Sequence, residues 1–279
     1  RYSRPDKKYG RVHHWIAHNE VDAGWVWTNA GIKTPLRFMD IYIKSMRLLY
    51  YTARKYSPHP EVFITLTHYW QSRHNEYCYP SAQLLELLVD YTQAEGDFKW
   101  GVAHHPYPQS LFEPKSWLDD QATFDYDTPQ ITFKNLEVLD AWIKQPRALY
   151  QGKIKRTVFL SEQNPNSKDY SEEALREQAA GMAYAMKKLE ACDGIDAYQM
   201  HGWRPADRRA ALHGRRDRSG RTQAGMVRIS GFRDGSRGRS IRVRQGHYRH
   251  RRLGSGDLQG AYSDEARTER LNRTFDRDE

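Results

Sequence analysis

The chain is poor in cysteine. Cys78 and Cys192 are its only two, too few for a disulfide framework and without the spacing of metal ligands, so both read as buried thiols. It has no run of about 18 apolar residues that could span a membrane as a helix. Its first residues, "RYSRPDKKYG", lack both an initiator Met and the apolar core of a signal peptide. No glycine-rich phosphate turn follows an apolar run, which argues against an open doubly wound nucleotide-binding sheet. No short-period repeat is visible. What is present is a globular composition: 279 residues, 38% hydrophobic and 13% aromatic, enough to bury a sizeable core in one large domain or two small ones.

Lysine is absent after Lys188 and tryptophan after Trp203. The net charge of +9 is therefore unevenly held. Residues 1–203 carry 10 Arg and 14 Lys against 25 acids, whereas residues 204–279 carry 20 Arg and 10 acids. A basic arm that grips phosphate usually mixes Lys with Arg, so the loss of whole residue types points instead to a shifted reading frame near residue 203. Met226 can only be ATG and Val227 begins with G, so the frame displaced by one base reads TGG, tryptophan, at that junction. The printed tail has neither helical nor strand periodicity. Two domains follow: an ordered body over 1–203 and an Arg-rich tail over 204–279. Nucleic acid is a partner only if that tail is genuine, and then its affinity falls steeply with salt.

The body alternates short β-rich apolar runs with longer amphipathic stretches. Strands are expected at Val12–Glu20, Val62–Tyr69, Trp100–Tyr107, Thr157–Gln163 and Ile195–Trp203, and helices at about Pro35–Tyr56, Ser81–Glu95, Phe133–Tyr150 and Ser171–Ala191. "SPHPE" closes the first helix, and "SEEALREQ" opens the last with a Ser cap and early acids. Successive β/α units without a phosphate turn predict an α/β fold of the (β/α)8 type. A complete barrel takes about 250 residues and eight units, so five units imply a fragment with its first three missing upstream.

In such barrels chemistry sits at the C-terminal strand ends. Those ends carry Asn19 and Glu20; His68, Tyr69 and Trp70; His104, His105, Pro106 and Tyr107; Glu162; and His201 with Trp203. Glu20 and Glu162 stand three average β/α units apart, which sets them across the barrel mouth. Paired carboxylates flanking a bond suit glycoside hydrolysis, one protonating the leaving oxygen and the other attacking or activating water.

"HNE" closing one strand and "LSEQ" closing another three units later resemble the fourth and seventh strands of the clan A glycoside hydrolases, retaining enzymes on a (β/α)8 barrel. That resemblance implies Glu20 as general acid and base, Glu162 as nucleophile, and Asn19 as a donor to the hydroxyl beside the anomeric carbon. The five strands become the barrel's fourth to eighth, with His105 and Tyr107 on the sixth near the nucleophile. Across residues 9–203, "NEVDAGWVWTNAG", "HHPYPQSLFEP", "ITFKNLEVLDAW" and "SKDYSEEALREQAAGMAYAMKK" resemble a bacterial family of barrel proteins catalogued as domain of unknown function 5722. The implied partner is a poly- or oligosaccharide, with no cofactor, metal or membrane required, and the implied setting is outside the cytoplasm.

Each candidate has a structural alternative. Glu20 could be a strand-end carboxylate paired with an Arg, and Glu162 could cap the "NPNSKDY" loop. His68, His104 and His105 could ligate a metal but lack a carboxylate at helical spacing, which favours hydrogen-bonded wall residues. His201 is a further candidate for substrate contact. Among Trp25, Trp27, Trp70, Trp117 and Trp203, sugar stacking is expected of Trp203 and of one of Trp25 and Trp27. Trp142 is assigned to the core, and Tyr42, Leu48, Leu49 and Tyr50 to helix packing. A non-catalytic glycan-binding barrel would use the same aromatic mouth.

Overall fold

The computed structural model describes residues 6–201. Trp203 and the Arg-rich tail lie outside the described residues, as does the proposed domain boundary.

Five strands form one wholly parallel sheet in the order of the chain: β1 (His14–Ala17), β2 (Glu61–Leu66), β3 (Trp100–His104), β4 (Val158–Leu160) and β5 (Ala197–Tyr198). Helices alternate with them: α1 (Gly24–Trp27), α2 (Pro35–Arg54), α3 (Ser81–Glu95), α4 (Leu136–Ile143) and α5 (Glu172–Ala191). The fold is α/β, and because the strand order never reverses, the sheet has no crevice of the doubly wound kind. β2 and β3 are buried along their whole length, as expected of parallel strands covered on both faces.

The sheet is strongly curled. In a flat sheet β1 and β4 would stand three strand spacings apart, about 14 Å. The rings of His14 on β1 and Phe159 on β4 nevertheless lie 5.2 Å apart, and Phe63 on β2 stacks on Phe159 at 4.5 Å. Gly101 permits this. It sits on β3 beside Phe63, and a Cβ there would come within 2.4 Å of the Phe63 ring and 2.7 Å of the Thr157 carbonyl. Successive strands curling about an aromatic interior are the shape of part of a barrel wall.

Local signals account for the helices. Thr34 caps α2 by accepting from the Arg37 N–H, with Pro35 at the first helical position. Ser171 caps α5 by accepting from the Ala174 N–H, with Glu172 and Glu173 in the first turn. Thr132 and Asn135 form a capping box before α4. The expected third long helix is shorter than its pattern: it stops at Ile143 and yields to a separate turn at Pro146–Ala148, because Pro146 cannot continue the hydrogen-bond ladder.

α2 packs through Phe38, Met39, Tyr42, Ile43, Met46 and Tyr50, and the Tyr42 hydroxyl donates to the Ala17 carbonyl on β1 at 2.6 Å. Leu48 is not a packing residue; it is 71% exposed because it falls on the opposite face of the helical period. Trp142 is buried, and its indole donates to Glu86. Cys78 and Cys192 are free and buried. Among the described residues no helix is long and apolar enough to cross a membrane.

Candidate active site

All strand ends of a parallel sheet lie on one edge, so the residues just past β1 to β5 gather there in chain order. The expected strands overran into these loops. β1 stops at Ala17, and His18 and Glu20 both take left-handed backbone, φ 65° and 38°. That conformation ends strand pairing and turns the chain into a short turn at Val21–Ala23 and then α1. Trp27, on this short helix, is thereby brought back beside Glu20.

Glu20 is mostly buried, and both its oxygens are engaged. Oε1 lies 2.9 Å from His105 Nδ1, and Oε2 accepts from the Trp27 indole N–H at 2.9 Å. Burial pushes its carboxyl up, but the hydrogen bond and charge of His105, the Trp27 bond and the nearby His68 outweigh that effect, so the group sits below the ordinary glutamate range. Among the described residues Glu20 is paired with a histidine and an indole rather than with an Arg. Asn19 beside it is half-buried.

His105 follows the last residue of β3 and is 2% exposed. Its Nε2 lies 3.0 Å from Ser161 Oγ, in the loop after β4. Two residues on, the Tyr107 hydroxyl donates to Glu162 Oε1 at 2.9 Å. His201 Nδ1, past β5, lies 3.9 Å from the same oxygen. Among the described residues Glu162 caps no backbone N–H of the loop that follows it, and its side chain meets Tyr107 and His201.

His68, past β2, is half-buried against the Tyr69 ring at 4.3 Å, and its Nε2 has no hydrogen-bond partner among the described residues. Burial pushes its pKa down to about 4, against the attraction of Glu20, so it is neutral at ordinary pH. His104 is a wall residue: Nε2 pairs with the Ile131 carbonyl at 3.1 Å, and burial takes its pKa to about 3. Among the described residues, no three His, Cys, Asp or Glu side chains are grouped to hold a metal ion.

The tryptophans divide by position. Trp27 is 43% exposed at the side of Glu20. Trp25 packs against Tyr77 at 6.0 Å. Trp70 is fully buried, donating to the Tyr126 carbonyl and edge-on to Trp142, so it belongs to the core despite its strand-end position. Trp117 packs edge-on to Tyr184 of α5.

Two site residues escaped sequence reasoning. Ser161 stood in the quoted "LSEQ", yet only the adjacent glutamate drew a role. Asp22, in "NEVDAG", is 2% exposed and clamps three segments. It accepts from the Thr67 N–H at 3.0 Å, from the Thr67 hydroxyl, and from the Ser81 hydroxyl at 3.0 Å, while its carbonyl accepts from the Tyr79 N–H at 2.8 Å. Burial raises its carboxyl to about 6 in spite of these donors, and the charge of Glu20 adds to the rise. The only sequence signal was a charged residue in an otherwise small and apolar turn.

No curated protein and no solved structure matches the chain. Residues 1–213 match the family described as Family of unknown function (DUF5722). That match takes in the whole described sheet and every candidate residue above, together with Trp203, and the chain belongs to that family.

Proposed function

We propose that the chain hydrolyses glycosidic bonds of a poly- or oligosaccharide by double displacement, with Glu162 as nucleophile and Glu20 as general acid and base. The observation that carries this reading is the pairing of both carboxylates with one short segment: His105 holds Glu20 and Tyr107 holds Glu162. An exposed indole, Trp27, stands beside the first of them, offering a flat apolar face to a sugar ring. In this reading the five strands are the fourth to eighth of a (β/α)8 barrel similar to those of the clan A glycoside hydrolases.

Glu162 attacks the anomeric carbon while Glu20 protonates the departing oxygen. Glu20 then deprotonates the water that releases the sugar from Glu162. The Tyr107 hydroxyl fixes one oxygen of Glu162 and leaves the other to attack. Asn19 donates to the hydroxyl beside the anomeric carbon, and His68 and His201 line the same mouth. A sugar seated on Trp27 excludes water from Glu20, which strengthens the burial effect that already opposes its ionisation.

The test is hydrolysis of activated aryl glycosides. Glu162→Gln abolishes turnover with the fold intact, and azide restores turnover to Glu20→Ala on a substrate with a good leaving group. An unchanged rate in the first variant, or no rescue in the second, removes the corresponding role.

One observation favours a second reading. A carboxyl held below its ordinary range is a poor proton donor, so the same mouth also suits a glycan-binding site without turnover. Oligosaccharide binding with no product released over many hours would select it.

A further inference from the structure

Glu20, His105 and Ser161 form a linear chain of hydrogen bonds, of which the glycosidase reading uses only the link from His105 to Glu20 and gives Ser161 no part. Glu20 Oε1 lies 2.9 Å from Nδ1 of His105, and Nε2 of the same ring lies 3.0 Å from Ser161 Oγ. These distances join a carboxylate, an imidazole and a hydroxyl in the order that activates a serine nucleophile.

The tautomer follows from chemistry. An ionised carboxylate only accepts, and Trp27 already donates to Oε2, so the hydrogen bond at Oε1 requires the proton on Nδ1. Nε2 is then the lone-pair nitrogen, and Ser161 donates to it. A general base is thus oriented on the serine hydroxyl, with its far side anchored by a charge.

The fold holds the three residues there. They come from the ends of β1, β3 and β4, and the curl of the sheet across Gly101 brings these separated strand ends together. The Ser161 N–H donates to the His104 carbonyl at 3.3 Å, pinning the serine opposite the residue before His105. His105 is buried and Ser161 is half-buried, as suits a shielded base and a reachable nucleophile. In serine hydrolases the residue after the nucleophile often supplies an oxyanion N–H; here that residue is Glu162, whose N–H has no backbone acceptor among the described residues.

We propose that Ser161, His105 and Glu20 constitute a serine esterase triad that cleaves O-acyl esters of sugar hydroxyls. Ser161 Oγ attacks the ester carbonyl carbon as its proton passes to His105 Nε2. The tetrahedral adduct expels the sugar alkoxide, which takes the proton from His105 and leaves as the alcohol. Water, deprotonated by His105, then attacks the acyl-serine, and the carboxylic acid departs as Ser161 recovers its proton. Glu20 stays ionised throughout and stabilises the imidazolium. The sugar as the alcohol half rests on the glycan reading of the mouth around Trp27; ester cleavage itself does not.

The full chain is treated with a fluorophosphonate and separately assayed on p-nitrophenyl acetate, followed by an acetylated oligosaccharide. The expected results are a phosphonyl adduct mapped to Ser161 by peptide mass spectrometry and ester hydrolysis that falls about a thousandfold in Ser161→Ala. Circular dichroism and thermal melting establish that the variant is folded. Ester hydrolysis undiminished in folded Ser161→Ala, or a folded wild type that acquires no adduct at Ser161, overturns the triad. Cleavage of p-nitrophenyl acetate with none of acetylated sugar overturns the substrate class. Labelling at Ser161 is read without any glycoside, so its failure is separable from failure of the glycosidase reading.

Discussion

Tyr107 donates its hydroxyl proton to Glu162 across 2.9 Å, and His105, two residues earlier, stands the same distance from Glu20. Alternate residues of one loop therefore hold the two carboxylates that come from the ends of β1 and β4. A shift of that loop moves both acids together, which makes residues 105–107 the keel of the site.

Removing the donor alone tests this. Tyr107→Phe keeps the ring and deletes a hydrogen bond to a charged group, worth about 1.5–3 kcal/mol. Glycoside kcat/KM is expected to fall roughly ten- to a hundredfold, with the melting temperature little changed. A full loss of folding would instead mark Tyr107 as a core residue.

Trp27 and Glu20 predict the pH profile. The first step of the proposed hydrolysis needs Glu20 protonated, yet against the effect of burial His105, Trp27 and His68 together hold it below the ordinary glutamate range. kcat/KM is therefore expected to peak in acid and to fall as pH rises through this depressed pKa. Trp27→Phe removes one donor to the ionised form, so the falling limb moves to higher pH. A limb that stays in place would show that Trp27 does not govern Glu20.

Asp22 predicts a stability change with a defined sign. Its carboxyl is raised from 3.8 to about 6 by burial, so between those values the native state holds a proton that the unfolded chain has lost. Stability contributed by this site is full below the lower value and declines as pH rises to the upper one, by about 3 kcal/mol. In Asp22→Asn this decline is absent. Unfolding free energies for the two proteins from acid to neutral pH give the difference directly, and parallel curves would contradict the burial of a titrating Asp22.

Gly101 predicts the consequence of the curl. Gly101→Ala forces a methyl against the Phe63 ring and the Thr157 carbonyl, and overpacking of this kind costs about 1–3 kcal/mol. Chemical denaturation measures it. A neutral substitution would mean that Phe63 and Phe159 do not stack across β3.

The strands, their order and most helix boundaries were legible because apolar runs, a Thr or Ser cap and an early Pro act locally. Strand ends were less so: His18 and Glu20 adopt left-handed backbone that no residue type in "AHNE" announces. Trp70 shares its position after a strand with the candidate mouth residues, yet its indole donates to the Tyr126 carbonyl and the ring is buried, a long-range contact that local pattern does not announce. Glu20 and Glu162 stood out as charges at strand ends. The bonds that join Glu20 to His105 and His105 to Ser161 depend on the curl of the sheet, which brings residues 56 and 85 positions apart into contact and leaves no trace in local pattern.

The most direct measurement is capture of the covalent intermediate. The folded chain is incubated with activated 2-deoxy-2-fluoro glycosides of several sugars and digested, and the peptides are read by mass spectrometry. A glycosyl adduct on Glu162 is expected, formed with time and prevented in Glu162→Gln. Glycoside turnover that yields an adduct on another residue, or that inverts the anomeric centre and yields no adduct, would contradict it.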